Sequence, residues 1–183
     1  MRALTRQHRL DLKQLTGLAS NDLAAVWASL NAEAGFDGLM DELPTLVEIY
    51  GSAAATLGAD WYDELRAAED VAGRFTAITA EATPKKRVYA LAGWGASEAA
   101  KNPDTALTLV DGGLQRIIAN SDRESVTVSA VADPKSAGWK RVGSGNACDF
   151  CQEIIGYDRV YSEASAEFLS HDNCFCSAEP EFG

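Results

Sequence analysis

Apolar side chains recur every three or four residues through most of the first 132 positions of the chain. Leu4, His8, Leu12 and Leu15 form the first such series. This spacing places side chains on one face of an α-helix, so it predicts amphipathic helices that bury that face. The predicted helices cover about 4–18, 23–30, 42–57, 60–71, 84–100 and 102–118.

Turn-forming and capping residues set the predicted breaks between these helices. Gly17, or the cluster at 20–22, is predicted to end the first helix and to cap the second, which Gly35 then closes. Asp60 is predicted to cap the fourth helix, and Asn102 to open the sixth.

Segment 122–132 fits two patterns. Val126 and Val128 alternate as in a strand, whereas Val131 restores helical spacing with Val128. Because Asp122 is a suitable N-cap, we interpret the segment as helix.

The composition changes after about residue 132. Residues 1–132 contain no cysteine, whereas residues 133–183 hold all four cysteines and one of the two histidines. The boundary is a turn-forming stretch over 133–138, and a short strand is predicted over 139–142. We therefore predict an α+β protein with two domains: a mainly α-helical region over 1–132, which makes the protein contacts, and a small α+β module over 133–183.

Composition and charge limit the classes of function. The chain has 183 residues, of which 46% are hydrophobic, so it can bury a core. Its formal net charge of −11 repels phosphate backbones, and we expect weak or no binding to nucleic acid. No apolar run approaches the roughly 20 residues of a membrane span, and no apolar segment follows the basic N-terminus as in a secretory signal. We expect no membrane association.

The charge is unevenly distributed. Residues 1–18 carry four basic side chains against one acidic side chain, whereas residues 143–183 carry one basic against eight acidic ones. The basic N-terminal arm is expected to dock on an acidic patch of a partner protein.

All four cysteines lie in one short window with a histidine. Cys148 and Cys151 form a CxxC pair, and His171 and Cys174 form an HxxC pair, with Cys176 as a fifth candidate ligand. A tetrahedral zinc ion takes four sulfur or nitrogen ligands, usually as two close pairs from separate segments. The spacing therefore predicts a structural zinc ion, with Cys148, Cys151, His171 and one or both of Cys174 and Cys176 as ligands.

Two alternatives to the metal remain open at this stage. The even number of cysteines allows two disulfides, and the thiols could also be free. The expected absence of a secretory signal argues against disulfides. A structural zinc site fills all four positions with protein ligands, so we expect the metal to hold the fold rather than to perform chemistry.

Catalytic motifs are weak. Only His8 and His171 could serve as a histidine base, and His171 is better used as a metal ligand. His8 is interpreted as an ordinary interface or surface residue. Trp139 is expected to seal the metal module against the helices, and an exposed Trp94 would indicate a partner surface.

The C-terminal motifs resemble a known family. Segment 138–142, the CxxC pair, a short strand at 160–161 and the HxxCxC cluster are similar to the C-terminal module of MuF-like minor head proteins of tailed bacteriophages. The form is closest to that of phages of actinobacteria. The motif match covers about 138–182.

The resemblance implies a non-enzymatic, structural virion protein, a minor capsid protein of the phage head. It implies association with the portal protein, the major capsid protein or both, with scaffold protein as a further partner and DNA packaging or ejection as a further role. The implied location is the head interior or portal vertex of the virion, and the host cytoplasm during assembly. The alternative that the resemblance also implies is a capsid maturation protease acting on scaffold or capsid protein.

Overall fold

The chain is mainly α-helical, with a small two-stranded sheet near its C-terminus, as the sequence predicts. The computed structural model describes residues 2–30, 38–143, 147–164 and 166–183. The described residues form α1 (Arg2–Ser29), α2 (Gly38–Ala68), α3 (Lys85–Ala99), α4 (Pro103–Ala132), β1 (Ser136–Val142), α5 (Asp149–Gly156) and β2 (Ser177–Phe182).

Helices α1 to α4 pack around an apolar core. Helix α2 lies along α4, and both contact α1 and α3. The buried side chains come from the stripes seen in the sequence and include Leu23, Leu39, Leu43, Val110, Leu114 and Ile118. Each fully buried aliphatic side chain stabilises the fold by about 1.5–3 kcal/mol.

The predicted break between the first two helices is wrong, because α1 is continuous. Gly17 lies inside the helix, where one glycine costs only about 1 kcal/mol relative to alanine. The Ser20 hydroxyl donates to the carbonyl of Thr16 (3.1 Å) and does not cap a new helix. The predicted end at Gly35 lies outside the described residues.

The predicted break between the third and fourth helices is also wrong, because α2 continues through Asp60. Gly58 marks a close approach between helices rather than a helix end. A Cβ atom at this position would lie 2.4 Å from the backbone oxygen of Asp122 in α4. The absent side chain therefore lets α2 and α4 approach closely.

The fifth predicted helix is confirmed as α3. The predicted break between residues 118 and 122 is wrong, because α4 is continuous and Asp122 lies inside it rather than at an N-cap. The Asn102 side chain accepts a hydrogen bond from the backbone N–H of Thr105 (3.2 Å) and so caps α4. Segment 122–132 is helical, and Val126 and Ala130 are buried on one face of it.

Residues 71–84 contain no helix, contrary to the prediction that the fourth helix reaches residue 71. Two serines of α4 hold this segment. The backbone N–H of Ile78 donates to Ser129 Oγ (2.8 Å), and that of Ala80 donates to Ser125 Oγ (2.9 Å). The serine hydroxyls thus satisfy backbone groups that would otherwise lack partners.

The strands form an antiparallel pair that packs on the helices. Trp139 of β1 lies opposite Pro180 of β2, and its ring stacks on that of Tyr161 at 4.5 Å. Trp139 is buried in one apolar cluster with Tyr62 and Val126, which confirms that it seals the C-terminal part against the helices. The division of the chain into two domains at residue 132 stays a prediction.

The helices were compared with the length and composition of a membrane span. None of those in the described part of the chain combines the length and the apolar composition that a membrane span requires.

Two glycine substitutions test the interpretation of α2. We expect Gly58→Ala to lower the free energy of unfolding by about 1–3 kcal/mol, because the added methyl group meets the α4 backbone. Gly17→Ala is the matched control, since nothing lies within 4 Å of its Cβ position. It should raise the stability by about 0.5–1 kcal/mol. Urea unfolding followed by circular dichroism measures both, and equal effects would contradict the close approach.

Candidate metal centre

The first pair of candidate ligands lies at the start of α5. Cys148 is the N-cap residue of this helix and Cys151 lies in its first turn. The Cys148 sulfur faces His171 of the second pair. Residues three apart at a helix start lie on the same side, which is why the CxxC spacing brings both sulfurs together.

A tight turn positions the second group. The backbone N–H of Cys174 donates to the carbonyl of His171 (3.2 Å), and Asn173 between them has a φ of 59°. Asparagine adopts this left-handed conformation more readily than most residues, so the turn suits the sequence. Cys176 follows directly before β2.

The fold brings all five predicted ligands into one cluster. Cys148 Sγ lies 2.9 Å from His171 Nε2, and Cys151 Sγ lies 3.7 Å from the same nitrogen. Cys151 Sγ also lies 3.7 Å from Cys174 Sγ. The donor atoms form two triplets, each with its atoms within 4.8 Å of one another: Cys148, Cys151 and His171 form one, and Cys151, Cys174 and Cys176 the other. Cys151 belongs to both.

The donor chemistry and one sulfur–sulfur spacing fit a tetrahedral metal ion. With a Zn–S bond of about 2.3 Å, two sulfur ligands of one ion lie about 3.8 Å apart. The separation of 3.7 Å between Cys151 Sγ and Cys174 Sγ agrees with this value. All four cysteines carry free thiols, and no disulfide joins them. The two triplets could therefore hold a metal ion.

The His171 ring is oriented by its own backbone. Nδ1 lies 2.7 Å from the carbonyl oxygen of Asp172, so Nδ1–H donates to that oxygen and Nε2 is left to face the sulfurs. This hydrogen bond is the main cause that raises the pKa of His171, and the Cys148 thiol adds to it. A histidine ligand held through its other nitrogen is typical of metal sites.

The pKa of two of the thiols is lowered toward the thiolate form, which is the form that binds metals. A hydrogen bond from the Cys176 thiol lowers the pKa of Cys174 to about 4, and the nearby Arg123 guanidinium contributes. The same hydrogen bond raises the pKa of Cys176. At the exposed Cys148, a hydrogen bond from the backbone of Cys151 lowers the thiol pKa.

A buried arginine of α4 connects the helices to this cluster. Arg123 Nε donates to the carbonyl of Cys176 (2.9 Å), and Nη2 donates to the carbonyl of Cys174. Its Nη1 donates to Asn120 Oδ1 (2.7 Å). Arg123 forms no salt bridge within the described ranges of the chain, and burial lowers its pKa. The neighbouring Cys174 and the Asp122 carboxylate act in the opposite direction and raise the pKa of Arg123.

A second arginine lies on the other side of the cluster. Arg141 Nη1 is 3.6 Å from Cys151 Sγ, and Nη2 donates to the carbonyl of Leu169. The Arg141 and Arg123 guanidiniums lie over the ring of Phe168, at 3.9 and 4.8 Å from its centroid. Neither arginine was predicted from the sequence. Arg123 contacts residues more than fifty positions away, and no spacing reveals such contacts.

The other singled-out side chains lie elsewhere. His8 is buried between helices, where it stacks on Trp61 at 4.3 Å and its Nε2 lies 3.1 Å from Asp122 Oδ1. Of the two alternatives given for His8, the structure supports an interface between helices and contradicts a surface position. Trp94 is 42% exposed and lines a cavity beside α4. Its role as a partner surface stays a prediction.

A family model described as VG15 protein matches residues 1–183 of the chain. No curated protein and no solved structure matches it.

A cysteine series tests the ligand set. Cys151→Ser should abolish stoichiometric zinc binding, because Cys151 belongs to both triplets. Four of the five donors fill the four positions, so at least one of the single variants Cys148→Ser, His171→Ala, Cys174→Ser and Cys176→Ser should keep one zinc per chain. Elemental analysis after dialysis measures this, with Glu153→Gln on the exposed side of α5 as control. Full zinc retention by Cys151→Ser would contradict the shared-ligand arrangement.

Arg123→Met tests the support from α4. The variant removes the donors to the Cys174 and Cys176 carbonyls, and we expect zinc affinity to fall about 10–100-fold. Competition with a chromophoric chelator measures the affinity. Arg74→Met, at an exposed arginine, is the matched control and should bind zinc like the parent chain. Parental affinity in Arg123→Met would show that the arginine does not support the site.

Proposed function

Because the chain belongs to the VG15 protein family, whose name indicates a phage protein, we propose that it is a MuF-like minor head protein of a tailed phage. In this proposal it is a non-enzymatic structural component of the virion, located in the head interior or at the portal vertex. It binds the portal protein, the major capsid protein or both during head assembly.

The observation that carries this proposal is the cluster of four thiols and one imidazole beside two buried arginines. The proposed ion is zinc, which when bound supplies four coordination bonds between α5 and the segment before β2. A site filled by four protein ligands leaves no position for a reactive water. So small a module gains much of its stability from such a cross-link. The result is a rigid element on the helices, suited to protein contacts.

The charge distribution supports a protein partner rather than DNA. The net charge of −11 opposes contact with packaged DNA, whereas the basic residues of α1 provide a local positive region. The helical faces and the metal module would together contact the portal or capsid subunits. A role in DNA packaging or ejection would follow from a position at the portal vertex.

One specific observation favours the second candidate, a capsid maturation protease. The exposed Cys148 thiol lies 2.9 Å from His171 Nε2, and the Asp172 carbonyl orients the His171 ring from its other nitrogen. A cysteine beside an oriented histidine is the arrangement of cysteine nucleophiles. Zinc binding by Cys148 would consume the thiolate that such an enzyme needs, so the two candidates compete for the same residues.

Co-sedimentation with purified portal rings tests the proposed function. The zinc-loaded chain should sediment with the rings, and Glu153→Gln should bind equally well. Cys151→Ser should lose binding while circular dichroism shows that its helices remain, because only the metal module is disturbed. A zinc-loaded chain that binds neither portal nor capsid subunits, and that is missing from virions, would contradict the proposal.

The same variants separate the enzyme candidate when capsid and scaffold processing is followed in infected cells. If His171→Ala keeps zinc and folds but capsid processing stops, the result supports the protease hypothesis. If processing continues normally in His171→Ala and Cys148→Ser, the result supports the hypothesis of a non-enzymatic protein.

A further inference from the structure

A groove separates the N-terminal half of α1 from α4 and from the chain next to the metal centre. It encloses a cavity of about 630 Å³. Its lining includes the buried side chains of Leu12 and Ala119, and the half-exposed side chains of Leu10 and Phe175. Leu10 belongs to α1, whereas Phe175 directly follows Cys174 near the C-terminus. The two walls of the groove therefore come from distant parts of the chain. The groove thus presents an apolar surface that is open to solvent.

The groove carries positive charge in a strongly acidic chain. Arg6, Arg9, Lys13 and Arg116 line it, against Glu179 as the one acidic residue among those lining it. Arg6, Arg9 and Lys13 are spaced three and four apart and so lie on one side of α1. The net charge of the chain is −11, so this local excess of cations is opposite to the charge of the whole molecule.

Two of the four cations are already engaged and two are not. Arg9 Nε and Nη2 donate to Ser177 Oγ (3.2 Å each), which holds α1 against β2. Arg116 Nε lies 3.1 Å from Asp172 Oδ1. Arg6 and Lys13 are exposed and form no ion pair with any part of the chain that the structure describes. They are available to carboxylates from outside.

We propose that this groove is the docking site for an acidic segment of a partner protein that carries an apolar side chain. The apolar side chain seats against Leu10 and Phe175, and carboxylates on the same segment face Arg6 and Lys13. This proposal rests on the proposed function as a partner-binding protein. It adds the chemistry of the partner segment and the surface that binds it.

The observations favour a peptide over a nucleic acid. Phosphate backbones present charge without an aliphatic or aromatic side chain, so they would leave the apolar surface uncovered. The overall charge of −11 also repels an extended polyanion, whereas a short acidic segment inside the groove is close only to the local cations.

The metal centre forms one wall of the groove. Asn173, Cys174 and Phe175 line it, and Cys174 belongs to a candidate metal triplet. Metal binding at Cys174 would fix the wall on which Phe175 stands. This arrangement connects the structural metal directly to partner recognition.

Selection from a library of random peptides of about a dozen residues tests the proposal on the zinc-loaded full chain. We expect enriched peptides to combine several aspartates or glutamates with leucine or phenylalanine. A fluorescent peptide of the consensus sequence is then titrated by anisotropy. The double variant Arg6→Glu/Lys13→Glu should weaken its binding by about tenfold or more, because like charges then oppose each other. Added salt should weaken binding to the parent chain.

The control is Lys85→Glu/Lys86→Glu, which makes the same change in net charge at exposed positions of α3 outside the groove lining. It should bind the peptide like the parent chain. An enriched set without acidic residues, or equal binding by the two double variants, would overturn the proposal.

The same protein samples test two other possible occupants of the groove, duplex DNA and a second copy of the chain. Tighter binding to duplex DNA than to the peptide would assign the groove to nucleic acid and overturn the proposal. Self-association in sedimentation that Arg6→Glu/Lys13→Glu abolishes would assign it to a second copy, with the same consequence. If portal binding persists in Arg6→Glu/Lys13→Glu, the groove proposal fails alone. If the peptide binds but the parent chain ignores portal and capsid, the proposed function fails alone.

Discussion

The convergence of four sulfurs and one imidazole on one small region is the constraint on which the C-terminal part of the structure depends. The contributing residues come from the start of α5 and from the chain just before β2. Between them lie few buried apolar side chains, and one short strand pair is marginal without further support. Arg123 extends this constraint into the helices, since it bonds from α4 to the carbonyls of two of the cysteines. The helical bundle and the cluster therefore hold each other in position.

Much of this arrangement could be predicted from the sequence. Helical periodicity reports which residues share a buried face, and α3 and α4 follow it closely. The ligand cluster was also predictable, because metal ligands occur as close pairs with short, characteristic spacings. The breaks predicted within α1 and α2 were wrong because residues that cap or end helices also occur inside them, as Gly17 does in α1 and Asp60 does in α2. The close packing of α2 on α4 at Gly58 was not predicted, since only the position of the Asp122 backbone shows it.

Long-range polar contacts could not be predicted from the sequence. The carbonyl bonds of Arg123, and the serines that hold residues 71–84, pair groups about fifty positions apart. No periodicity records such pairs, because each depends on how two whole elements lie in space. The groove was hidden for the same reason. The basic stretch of α1 was visible as composition, but its apolar counterpart Phe175 comes from the opposite end of the chain.

We propose that a metal ion bound by the cysteines holds one wall of an interaction surface in place, while the helices supply the other wall. The most direct measurement is elemental analysis of the purified full chain, together with thiol titration in denaturant and chelator without reductant. We predict one zinc ion and four titratable thiols per chain. A chain with no bound metal and no titratable thiols would contradict this proposal, because the cysteines would then be paired as disulfides.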